Sequence, residues 1–181
     1  MSKNRIVSFL VLIIAIGLFG YVVVTTQSPK VGAEQGMIAP DFTLPLWETN
    51  EEASLSSFRG EIVVLNLWAS WCPPCRKEMP DLIRLSEEYN DKGVAVLGVN
   101  LATHERDANG PAEFMETFGV TFPTFIDQPI DKVNQRGVVS SLYNIQSIPY
   151  TYILDKEGKI AYIFHGAVTY EMLEKVIKEL M

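Results

Sequence analysis

Two cysteines, three positions apart, sit between an unbroken apolar run and a stretch of helical periodicity. That junction constrains the chain more than any other feature in it. Ile62-Val63-Val64-Leu65-Asn66-Leu67-Trp68 is uncharged and rich in β-branched residues, the pattern of a buried strand. After Ala69-Ser70-Trp71-Cys72-Pro73-Pro74-Cys75, the residues Met79, Leu82, Ile83 and Tyr89 recur at helical spacing among Glu, Arg and Leu. A strand, a short turn and a helix therefore bracket the cysteines and put Cys72 at a helix N-terminus. Unpaired backbone N–H groups and the helix dipole favour a thiolate there.

Cysteines at this spacing can close a disulfide, supply part of a metal site or remain free thiols. A structural disulfide gains little over so short a loop. A closed zinc site needs four ligands, and only His104 and His165 remain as soft donors, without ligand spacing between them. Pro73-Pro74 argues against thiols buried in a helix interior. Spacing and context together point to a redox-active dithiol. By position Cys72 attacks and Cys75, in the first turn, resolves. Both prolines lack an N–H, so Cys72 has fewer donors than usual and its thiolate is less stabilised, which suits a reductant.

Composition sets outer bounds. A chain of 181 residues suits one domain with length to spare for an anchor, and a net charge of −7 offers no basic surface for nucleic acid. Residues 6–24 carry no charge and come close to the roughly 20 residues a bilayer-spanning helix needs. Lys3 and Arg5 precede them, so the positive-inside rule keeps residues 1–5 cytoplasmic and exports the remainder. A cleaved signal peptide is the alternative, but the apolar run is longer than usual for one. Either route delivers the domain to a compartment where disulfides persist. Residues 25–36 read as a polar linker and 37–181 as the folded domain.

Within that domain, 41–47 and 53–58 read as short strands around an acidic turn, and 94–100 as a second buried strand. Strand, helix and strand at this length imply a right-handed parallel crossover. Residues 101–110 read as a polar loop, 111–118 as a short helix opened by Pro111, and 122–127 as an extended segment. A weakly patterned helix is expected over 132–143, with Gly137 in its middle. Residues 150–154 and 159–164 form a hairpin. The last helix is expected to start at the N-cap Thr169 and to bury Met172, Leu173, Val176, Ile177 and Leu180.

Residues 66–80 resemble the active-site segment of the thioredoxin superfamily. The longer string WASWCPPCRKEMP is similar to the membrane-anchored, extracytoplasmic ResA/TlpA-like thiol–disulfide oxidoreductases. Ala39-Pro40-Asp41-Phe42-Thr43-Leu44 resembles the N-terminal hairpin of redoxin domains, and Ile148-Pro149 stands in the place of the family's cis-proline. The resemblance implies a thioredoxin-like three-layer α/β/α sandwich. Its central sheet would be mixed, with an N-terminal hairpin, a small insertion at 101–120 and one preceding transmembrane helix. It implies a Cys72–Cys75 disulfide, and an acid–base role for Glu78, which by position alone could equally be a solvent-facing carboxylate at the helix start. Thioredoxin keeps a buried Asp where this chain has Asn66. Trp71, Pro73, Pro74, Ile148 and Pro149 would face the substrate, with the Ile148 backbone pairing to an extended segment.

The expected activity is protein-disulfide reduction outside the membrane by a single-pass membrane protein, without metal or organic cofactor. The resemblance names apocytochrome c as a substrate and a membrane thiol-transfer protein as electron donor. Reduction of envelope or spore-forming proteins, or disulfide formation by an oxidase, would use the same fold. A peroxiredoxin would need a lone peroxidatic cysteine, and an inactive tethered binding module would need a degraded site; neither matches an intact CPPC pair.

Overall fold

The computed structural model describes residues 8, 11–19 and 29–181. They belong to two compact units, Met1–Lys30 and Val31–Met181. In the first unit, residues 8 and 11–19 are helical. Residues 6, 7, 9, 10 and 20–24 of the expected apolar span, the cytoplasmic segment 1–5 and residues 25–28 of the linker lie outside the described residues. Among the described residues, no helix is long and apolar enough to cross a membrane.

The second unit opens with a two-stranded antiparallel hairpin, β1 (Thr43–Pro45) and β2 (Glu52–Ser54). A five-stranded sheet follows, built from β3 (Ile62–Trp68), β4 (Val94–Asn100), β5 (Thr124–Ile126), β6 (Tyr150–Leu154) and β7 (Ile160–His165). Its order is β5-β4-β3-β6-β7. Strands β3, β4 and β5 run parallel, while β6 and β7 are antiparallel to their neighbours, so the sheet is mixed as expected. The helices are α1 (Pro73–Tyr89), α2 (Gly110–Phe118), α3 (Val138–Leu142) and α4 (Tyr170–Leu180).

Every residue of β3 is buried, because both faces of the sheet are covered. The pleat sorts its side chains between two cores. Ile62, Val64 and Trp68 pack with Met79, Leu82 and Leu85 of α1, Phe114 of α2, and Leu173 and Ile177 of α4. Val63, Leu65 and Leu67 pack with Leu44, Leu55, Phe125, Tyr143 and Tyr152 on the other face. That second layer is thin, made of the hairpin and the short α3. Period-two alternation also decides where Asn66 points: to the α1 side, with Ile62, Val64 and Trp68.

Three local expectations change. The strand over 53–58 stops at Ser54, and Leu55–Phe58 is a 3-10 turn that buries Leu55. The helix over 132–143 contracts to Val138–Leu142. Carboxylates take the N–H groups a longer helix would need: Asp131 Oδ1 accepts from Val133 and Asn134 N–H, both at 2.7 Å. The fully buried Asp127 then caps α3, accepting from Val139 N–H (2.8 Å) and Ser140 N–H (3.1 Å). Gly137 is required there, since a Cβ would lie 2.1 Å from Asp127 Oδ2. Finally, Met172 is 39% exposed and does not belong to the buried face of α4. Leu173, Val176, Ile177 and Leu180 form the i, i+3, i+4, i+7 stripe, and Met172 lies outside it. Thr169 caps α4 as expected, its Oγ1 accepting from Met172 N–H.

Candidate active site

The cysteines lie where β3 ends and α1 begins. Cys72 is the N-cap of α1, and Pro73 and Pro74 occupy its first two helical positions, where a missing N–H costs nothing. Cys72 and Cys75 are joined by a disulfide, with Cα atoms 5.3 Å apart. Because neither proline has an N–H, the first donor in the helix is Cys75 N–H, and it points at Cys72 Sγ across 3.2 Å. One donor at Cys72 remains where an ordinary helix start offers more.

The two sulfurs have different surroundings. Cys72 is 2% exposed and lines a groove of about 320 Å³, whereas Cys75 is wholly buried and does not line it. Trp71, Pro73 and Pro74 form one wall of this groove, and Ile145, Gln146, Ser147 and Ile148 the other. The Ile148–Pro149 peptide is cis. Pro149 itself is buried behind the groove, with its carbonyl accepting from Gly166 N–H (2.9 Å).

Glu78, one helical turn after Cys75, is 1% exposed rather than solvent-facing. Its Oε1 accepts from Asn66 Nδ2 (2.8 Å) and its Oε2 from Val168 N–H (2.9 Å). Burial pushes its pKa up from 4.5 to about 7, against the pull of those two hydrogen bonds, which favour the charged form. Asn66 Nδ2 also donates to Thr151 Oγ1 (3.0 Å). A carboxyl group poised near neutral pH thus lies one helical turn from Cys75, inside the core.

Trp68 is fully buried and stacked on Phe114, with ring centroids 4.3 Å apart, while Trp71 is 36% exposed on the rim. His165 packs against the Tyr150 ring, and His104 lines the groove and offers its carbonyl to Trp71 Nε1 (2.9 Å). Ile145, Gln146 and Ser147 of the groove, and Glu105, whose Oε1 accepts from Ser70 N–H beside Trp71 (2.7 Å), are not among the residues expected from the sequence. None carries a local signal: Glu105 looks like any charge in a polar loop.

An attackable sulfur at a helix start, a buried partner sulfur and a facing cis-proline loop on a mixed sheet define a thioredoxin-like thiol–disulfide oxidoreductase. The chain belongs to the AhpC/TSA family, whose model matches residues 36–163. It is 39% identical over 167 residues to the thioredoxin-like protein YneN of Bacillus subtilis (strain 168), covering 92% of each chain. It is 35% identical to the thiol-disulfide oxidoreductase ResA of Geobacillus kaustophilus (strain HTA426), covering 94% of this chain and 92% of the relative. Among solved structures, StoA from Bacillus subtilis is 28% identical and superposes with a TM-score of 0.63, covering 78% of this chain and 98% of StoA. The protein is a thiol–disulfide oxidoreductase of the ResA type.

Proposed function

We propose that this enzyme works as a reductase on protein disulfides outside the cytoplasm, with Cys72 as nucleophile, Cys75 as resolving thiol and Glu78 as its proton acceptor. The observation that carries the direction is the single N–H left at Cys72. A dithiol is oxidising when its reduced, thiolate form is stabilised, and two prolines withhold that stabilisation here. In the forward reaction the Cys72 thiolate attacks one sulfur of the substrate disulfide and forms a mixed disulfide, releasing the first substrate thiolate. Cys75 then yields its proton towards Glu78 and attacks Cys72 Sγ. The second substrate thiolate leaves, and Cys72–Cys75 ends oxidised by two electrons.

The groove suits an extended, largely apolar segment laid between Trp71 and Ile148, next to Cys72. We take the Cys-X-X-Cys segment of an apocytochrome c as the substrate, with a membrane thiol-transfer protein restoring the dithiol. The uncharged run 6–24 behind Lys3 and Arg5 supports a single-pass anchor with the domain on the outer face. A membrane-impermeant thiol reagent applied to intact cells should then label the reduced cysteines; protection until lysis would reverse that placement.

The deciding measurement is the midpoint potential of the Cys72–Cys75 couple, by equilibration with glutathione or dithiothreitol. A value near or below about −250 mV is expected, towards the thioredoxin end of the scale. A value near about −120 mV would make the protein a disulfide donor and reverse the direction.

A further inference from the structure

The loop after β4 is fastened to the residues immediately before Cys72. Glu105 Oε1 accepts from Ser70 N–H and from Asn100 Nδ2, both at 2.7 Å, and Oε2 accepts from Ser70 Oγ. The residues on either side of Glu105 hold the next side chain. Trp71 Nε1 donates to His104 O (2.9 Å), and the Arg106 guanidinium lies over the Trp71 ring, 3.8 Å from its centroid. Ser70 is gripped from the other side as well: Arg76 Nη1 donates to its carbonyl (3.3 Å). Gly110 approaches so closely that a Cβ there would lie 2.5 Å from Ser70 Oγ.

Trp71 needs such support. It is a wall of the groove but, at 36% exposed, has no core packed around it to set its rotamer. A side chain free to turn would spend part of its time out of the binding position, and affinity falls in proportion to the competent fraction. Three hydrogen bonds to one carboxylate, all inside a half-buried joint, make that loss small.

We infer that Glu105 is a positioning residue for substrate recognition. Through Ser70, and with His104 and Arg106 on Trp71, it holds the Trp71 wall in place. The insertion thereby sets affinity for protein substrates without entering the sulfur chemistry. This inference rests on the reading of the groove as the substrate site.

The test compares two reactions of the same protein. Reduced enzyme is mixed with a short peptide carrying a Cys-X-X-Cys disulfide, and oxidised enzyme is mixed with dithiothreitol, which is too small to need the groove. Glu105→Ala should raise the half-saturating peptide concentration about tenfold, as if the competent wall were populated about one-tenth of the time. The limiting rate, the dithiothreitol reaction and the midpoint potential should stay as in the parent. Glu105→Gln should restore the parent value. Its Oε1 keeps both N–H donors and its Nε2 can donate to the Ser70 hydroxyl, which accepts as readily as it donates. Arg106→Ala changes an exposed residue and leaves the Glu105 bonds intact, so it tests the Trp71 contact without risk to the fold; it should raise half-saturation in the same direction. An unchanged half-saturation in Glu105→Ala and Arg106→Ala overturns the inference. So does Glu105→Gln behaving like the alanine variant, or a dithiothreitol rate that falls in step with the peptide rate. Failure of the parent protein in both reactions would instead sink the functional reading on which the inference stands.

Discussion

Cys75→Ser is expected to stop turnover after one half-reaction and leave the enzyme covalently bound to its substrate. Cys72 faces the groove and keeps its N-cap position, so it still attacks; with no second thiol behind it, the mixed disulfide accumulates to one substrate per enzyme. The residue at position 75 is fully buried, and serine is close to isosteric, so the fold should survive. The lost cross-link spans only a three-residue separation and contributes little by loop closure. Cys72→Ser should give neither adduct nor turnover. Intact-protein mass spectrometry after mixing with a disulfide peptide distinguishes them. An adduct on Cys72→Ser but not on Cys75→Ser would exchange the roles of the two sulfurs.

Glu78→Gln should have the next largest effect, and it should be visible in two independent ways. In exchange, the step in which Cys75 loses its proton should slow by about a hundredfold near pH 7 to 8, the low end for a positioned proton acceptor. The deficit should close at high pH, where the thiol ionises unaided. Stopped-flow resolution of a preformed mixed disulfide reads this step; equal rates across the pH range would remove Glu78 from the mechanism.

In stability, the carboxyl group's pKa is about 7 in the folded protein against 4.5 ordinarily. Between those values the native state holds a proton that the unfolded chain has released, so stability must fall as pH rises through this window and level off above it. The full drop is about 3 kcal/mol, from 1.36 kcal/mol for each pH unit. Glu78→Gln should abolish this limb whatever constant cost the amide adds. Asn66 Oδ1, buried and unpaired beside Glu78, gives the glutamine amide an acceptor if Asn66 inverts. Denaturant melts of both proteins between pH 4 and 8 would show it; parallel curves would mean that Glu78 titrates at its ordinary value.

What the chain could announce on its own was whatever depends on neighbours in sequence. The buried strand before the cysteines, the helix after them with Cys72 at its cap, the Thr169 cap and the β6–β7 hairpin all follow from short-period patterns and terminal N–H groups. Those rules need no knowledge of the rest of the fold. Where a local pattern was weak, carboxylates won: Asp131 captured donors two and three residues on, Asp127 captured them from twelve positions away, and the helix expected over 132–143 is shorter.

The working parts of the site were settled elsewhere. Asn66 meets Glu78 only because the pleat of β3 turns it under α1, and Glu78 is shifted because α1 and the Val168 backbone close over it. Likewise, Glu105 reaches Ser70 across 35 positions in sequence, and Ile145 to Ile148 face Trp71 from a distant loop. Desolvation and long-range hydrogen bonds act between surfaces that exist only after the sheet and helices have packed. Sequence alone therefore determined that this protein carries a dithiol at a helix start; tertiary structure decided which sulfur meets the groove, where a proton can go and what holds the groove's wall.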